Sequence, residues 1–393
     1  QHSDPNVAQA TTTLVETGAS LRADATRSGA GGEVVAWSDV SNPDGWTIAR
    51  GYFSAQGGPE GGDGGRIETS GYWLNVLGAT GSVGSTFGDA GTWLFDPYDI
   101  EIVAGNAAVD NSGVPDFDPL VSPSQIGVDL INAQLNAGAD VEINTTGDGN
   151  GGASGDITLN APIEKTLGGS AQLSLIAADD VILNASIEDT PGVGAGGTLD
   201  LVLQADRNED PGAPVVSDGD GRVLINSPIG DDSPLASVVA SGSSIEFDAF
   251  EVRTTGAQTY SGPSEIRQNV LLESTGNGAI TLGNVDGGFD LTIGNGSGAI
   301  RLGSVGQTTP LANLALDGTG GNILNGDIEA TNDIDLGGPD RFRSSGGPGF
   351  VFGGTLTCDR GSVGADCALA SSGGSGAVPT LAPTPAVDST PAP

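Results

Sequence analysis

Carboxylates are the residues of this 393-residue chain best placed to do chemistry: 50 Asp and Glu stand against 13 Lys and Arg, for a formal net charge of −37. Asp179–Asp180 and Asp231–Asp232 are adjacent pairs. Two carboxylates whose oxygens converge can act as an acid/base pair or hold Ca²⁺. Asp206 and Asp210 flank Arg207, the combination of a basic group and ion-binding carboxylates that lyase chemistry on an acidic polysaccharide requires. The runs DGNGG at 148–152 and DGDG at 218–221 set Asp148, Asp218 and Asp220 beside bend carbonyls, which makes calcium the one cofactor candidate. Neither run repeats as the tandem nonapeptide of a calcium β-roll. Each cluster also reads plainly as solvated charge at a turn. Neighbouring residues of a strand face opposite sides, which works against convergence of either Asp pair. The single His, His2, lies at the N-terminal extreme, remote in sequence from every pair. The chain is therefore expected not to be an enzyme, and to need no cofactor apart from that calcium candidate.

The charge balance narrows the partners. A pI near 4.1 with no basic stripe gives a phosphate backbone nothing to bind, so no nucleic-acid partner is expected. No apolar run reaches roughly 18 residues, the length a membrane helix needs. The chain contains no Met, which is expected of a processed piece rather than a primary translation product. An Asp-rich surface with one Lys, Lys165, suits an extracellular medium, where like charge discourages clumping. Cys358 and Cys367 are expected to form a local disulfide in an oxidising compartment, a metal pair being disfavoured by the lack of further Cys or a nearby His.

The elements that must position these groups are read from internal repeats. Residues 157–163 (ITLNAPI), 181–187 (VILNASI) and 223–229 (VLINSPI) are one motif of alternating apolar and polar side chains, with Asn160, Asn184 and Asn226 at one shared point. Stacked coils would place the three Asn above one another as an amide ladder inside a turn. A second series, at 271–285, 291–305 and 314–328, aligns without gaps. Gly276, Gly278, Gly296 and Gly298, with Gly147 and Gly149, are expected to take positive φ at corners. Blocks of about 22 residues cannot bury their few inward side chains alone, and stacking gives each strand two hydrogen-bonded neighbours. The fold class expected is all-β, a parallel solenoid. Its parts are an aromatic-rich section at 1–104, a Pro/Asp-rich excursion with a short helix at 105–135, regular repeats at 136–345, a disulfide hairpin region at 346–370 and an extended Pro/Ala-rich arm at 371–393.

The segments GGEVVAWSD (31–39), GGDGGRIETSG (61–71), GTWLFDPYDIEI (91–102) and the stretch from NAGADVEINTTG to ITLNAPI (136–163) resemble the large exoproteins of filamentous haemagglutinin type, exported by two-partner secretion. TTGAQTYSG (254–262) and AITLGNVDG (279–287) are similar to that family's distal repeats. The resemblance spans most of residues 18–336. It implies a right-handed parallel β-helix on the bacterial cell surface, an outer-membrane transporter as partner during secretion, and a Cys358–Cys367 loop resembling those that tether such chains. The N-terminal secretion domain of the family is not evident. Two roles follow. In the first, rods join head to tail with copies of themselves into extracellular fibres for adhesion or matrix building, since open solenoid ends invite another copy. In the second, a monomeric stalk binds surface glycans through the aromatic-rich first hundred residues. A polysaccharide-degrading β-helix enzyme is a distant third.

Overall fold

Alternation along each strand sets the architecture. In Asp140–Asn144, Val141 and Ile143 turn inward and are buried, while Asp140, Glu142 and Asn144 are half-buried on the other side. In the computed structural model, which describes residues 10–106, 124–145, 155–190, 197–207, 219–318, 323–324, 328–335, 351–352 and 356–358, such strands stack into three faces around one core. The first face is a 12-stranded sheet and the second an 11-stranded sheet; the third is built from sheets of three, two and six strands. One inward column of the first face runs Val34, Ile67, Trp93, Val141, Leu173, Leu201, Val238, Gln258, Ile280 and Ile300, each residue the direct parallel partner of the next. The protein is an all-β parallel solenoid with one helix among the described residues.

Coils visit the second, third and first faces in that order. The first turn does so with Thr12–Val15, Ser20–Arg22 and Glu33–Trp37, and the later turn with Ser264–Ile266, Val270–Ser274 and Ile280–Leu282 does the same. One stretch departs from this order. On the second face, Ser124–Gly127 lies between Trp73–Asn75 and Ile100–Val103, so a strand later in sequence is inserted beneath an earlier one. The helix Val128–Asn136, the short helix expected within 105–135 but ending one residue beyond it, follows directly and occupies the third face at that level. Val128, Leu130, Ile131 and Leu135 bury its inner side. Its body is about 10 Å across. Two strand spacings of about 4.8 Å span the same height, which the doubled strands supply on the second face.

The second repeat series requires a correction. Leu291 pairs with Leu314 and Ile280 with Ile300, as the gapless alignment has it, but Val270 rather than Leu271 pairs with Leu291. Arg301 rather than Ile300 pairs with Ile323. Bends absorb the slips: Asn277 takes a left-handed φ of 67°, and the ladder shifts between Gly294 and Gly296. The bend glycines are also explained differently than expected. Among the described ones only Gly296 has positive φ; Gly276, Gly278 and Gly298 are needed because a Cβ would strike the backbone of the coil below, at 2.2, 2.1 and 2.4 Å. Gly147 and Gly149 lie outside the described residues.

Candidate functional site

The strongest concentration of chemistry lies at the corner where the first face turns into the second. Ile100, Ile157, Val181 and Val223 are successive register partners, so the residues just before them, Asp99, Asp156, Asp180 and Arg222, form a vertical column. Carboxylate oxygens of Asp156, Asp179 and Asp180 lie within 4.8 Å of one another. The two adjacent Asp converge because they sit in the bend before Val181–Leu183, where strand alternation does not apply; this corrects the expectation that they face apart. Asp156 Oδ1 accepts the Asp180 N–H at 3.1 Å, and Asp180 Oδ1 accepts the Arg222 N–H at 2.6 Å. Arg222 closes the cluster, donating from Nη2 to Asp180 Oδ2 at 2.8 Å and from Nη1 to Glu246 at 3.3 Å.

Burial dominates the electrostatics here. It raises Asp156, with the nearby Asp180 charge adding to the rise, and pushes Asp99 up to about 6. The three crowded carboxylates are a hard, oxygen-rich set of the kind Ca²⁺ accepts, and the Arg222 guanidinium competes with a cation for Asp180. The sequence-derived calcium candidates are elsewhere: Asp148 and Asp218 lie outside the described residues, and Asp220 is exposed. Asp156 was missed although its signal is present, since Asp156, Asp180 and Arg222 directly precede the ITL, VIL and VLI repeats in turn.

The three Asn form a chain of hydrogen bonds. Asn184 Nδ2 donates to Asn160 Oδ1 at 3.1 Å, and Asn226 Nδ2 donates to Asn184 Oδ1 at 2.9 Å. All three are exposed, so the chain runs along the outer surface and not inside the turn. Register continues the column to Asp248.

A second polar group is buried on the third face. Lys165 and Asp189 are register partners at inward positions, 1% and 4% exposed. Burial lowers the Lys165 ammonium and raises the Asp189 carboxyl, each opposed by the other's charge. Lys165 Nζ donates to the Leu167 carbonyl at 2.8 Å, and Asp189 Oδ2 accepts the Leu199 N–H at 2.9 Å. Beside them Glu188 is pushed up to about 8 by burial and by its hydrogen-bonded neighbour Asp231, with Asp232 adding to the rise. Arg207 Nη1 donates to Gln204 at 2.6 Å, and Asp210 lies outside the described residues. His2 and Cys367 also lie outside them. The backbone of Cys358 ends the strand Leu356–Cys358, paired with 328–330.

The aromatic residues of the first hundred divide into two sets. Phe53, Trp93 and Phe95 are fully buried and pack together inside, Phe53 tilted against Trp93 at 5.7 Å between ring centroids and Trp93 stacked on Phe95 at 5.2 Å. Trp46, Trp73, Tyr72 and Tyr98 form a half-buried outer group, Tyr72 and Tyr98 stacking at 4.2 Å and the two Trp at 5.9 Å. No protein-family model matches this sequence, and no curated protein matches it.

Proposed function

We propose that this chain is a right-handed parallel β-helix of the bacterial cell surface, similar to filamentous haemagglutinin-type exoproteins, and that its rods join end to end into extracellular fibres for adhesion or matrix building. The observation that carries the reading is the unbroken stacking of twelve parallel strands on one face. At about 4.8 Å per strand that is a column roughly 50 Å long. The right-handed coil is what parallel crossovers adopt almost without exception. Among the described residues, the strands of the first coil are paired on one side only, and such edges are templates for a further coil from a second copy. The large negative charge keeps the sides of rods apart while leaving the hydrogen-bonding ends as the adhesive surface. Export through an outer-membrane transporter and a Cys358–Cys367 loop belong to the same reading.

A second reading, a monomeric stalk that binds surface glycans, is favoured by the outer Trp46, Trp73, Tyr72 and Tyr98 group, whose rings offer flat apolar faces with polar rims. Electron microscopy of the purified chain separates the two. Long fibres of uniform width are expected; isolated rods at all concentrations would overturn end-to-end assembly.

A further inference from the structure

A cleft of about 480 Å³ is cut into the outer side of the second face, across four successive coils. Below it runs a column of outward carboxylates, Glu246, Glu265 and Asp286, which are successive register partners; Glu265 and Asp286 line the cleft, while Glu246 is buried and lies outside the lining. Arg267 lies over the first two, its Nη1 2.8 Å from Glu246 and its Nη2 3.1 Å from Glu265. The far wall is fixed by Asp286 Oδ1, which accepts the N–H groups of Thr308 at 2.7 Å and Thr309 at 3.1 Å. Phe289 lines the cleft with 44% of its surface exposed. Gly288 beside it opens onto free space, with nothing within 4 Å of a Cβ.

The geometry points to this cleft as a binding site for a neutral sugar unit of a glycan. A volume in the range of roughly 300–1,000 Å³ takes a small ligand. The exposed ring supplies a face for the C–H side of a pyranose. Carboxylates accept hydroxyl protons, and the guanidinium, held flat by its two partners, donates to hydroxyl oxygens. Charge selects against anionic sugars. Two carboxylates and one already paired Arg line the cleft, in a chain of net charge −37. A sulfated or uronic-acid unit would meet repulsion there, and a purely apolar ligand would take charges out of water without pairing them. The site is distinct from the outer aromatic group of the first coils, and it stands whether or not the rods polymerise.

Saturation-transfer NMR on the full chain tests it with neutral β-glucan, α-glucan and mannan hexasaccharides and a sulfated heparin hexasaccharide. Transfer to at least one neutral sugar is expected. Affinity should then fall roughly tenfold or more in Phe289→Ala and in Arg267→Ala, which removes the hydroxyl donor, and hold in Phe250→Ala, an exposed Phe outside the cleft. Circular dichroism of each variant establishes that the fold is retained. The proposal is overturned if no neutral sugar in the panel binds, if the heparin fragment binds instead, or if both cleft variants bind as the parent does. Because this assay reads the soluble chain and microscopy reads assembly, either can fail without the other.

Discussion

The first coils and the later ones solve one geometry with different materials. From Thr12 to Trp46 to Trp73 the second face advances 34 and 27 residues per coil. From Val223 through Ile245, Ser264, Val285, Val305 and Ile328 it advances 22, 19, 21, 20 and 23. The first region fills its interior with Phe53, Trp93 and Phe95, the second largely with Val, Ile and Leu. In the long early coils the extra residues go into glycine corners where backbone lies on backbone: a Cβ on Gly91 would sit 1.8 Å from the Gly65 carbonyl oxygen. A solenoid is thus specified by vertical register, not by period. Any coil length works if each strand returns above its partner and each bend leaves room for the next.

The largest effect should come from the buried charge at the start of the regular coils. Lys165→Met strands Asp189 in the core and is expected to cost about 3–5 kcal/mol in urea unfolding, with most of the loss recovered in Lys165→Met/Asp189→Asn. A single mutant of parental stability would show that the pair is not buried together. Next, Gly91→Ala should cost about 1–3 kcal/mol by forcing the early corner apart. Gly288→Ala, with free space around it, should stay within about 0.5 kcal/mol. Equal thermal shifts for the two would remove the distinction drawn between corner types.

Acidity sharpens the comparison further. Glu188 in the regular coils is pushed up to about 8, and Asp99 beside the early coils up to about 6. Both folded values exceed the ordinary values of the unfolded chain, so the folded state binds more protons between them. Stability should therefore fall as pH rises, through about 6 for Asp99 and about 8 for Glu188. A loss on the order of 1 kcal/mol per pH unit is expected over the upper part, and Glu188→Gln should flatten it. A stability that climbs from pH 6 to 8 would contradict the burial of Glu188.

The smaller effects are local. Ser264 occupies an inward position between Ile245 and Val285, and its buried hydroxyl has no hydrogen-bond partner. Ser264→Val should stabilise the chain by about 1 kcal/mol. Asn184→Ala breaks two hydrogen bonds of the surface amide chain and should cost under about 1 kcal/mol, because water replaces them.

The same contrast explains what the sequence made legible. Short aliphatic coils of near-constant length wrote their repeat into the chain, and Asn160, Asn184 and Asn226 marked one corner. One-residue slips at Val270 and Ile323 stayed hidden because bends absorb them without changing the apolar pattern. The insertion of Ser124–Gly127 beneath Ile100–Val103 left no local trace, since strand order is a long-range property. Asp179 and Asp180 were read as strand neighbours facing apart, and the bend that brings them to Asp156 depends on the coil below. Arg267 and Phe289 were not singled out, because the surface cleft exists only once four coils are stacked.

Stacking itself is tested most directly by spin-label distances along one outward column. Glu142, Ser174, Val202, Val239, Thr259, Thr281 and Arg301 are successive register partners on the first face. With Cys358 and Cys367 replaced by Ser, pulsed electron resonance should be recorded between a label at 142 and labels at 239, 259, 281 and 301 in turn. The distance should grow by about 4.8 Å per coil, reaching roughly 29 Å at 301. Distances that level off or shorten along the series, as in a closed barrel or a sandwich, would contradict the solenoid.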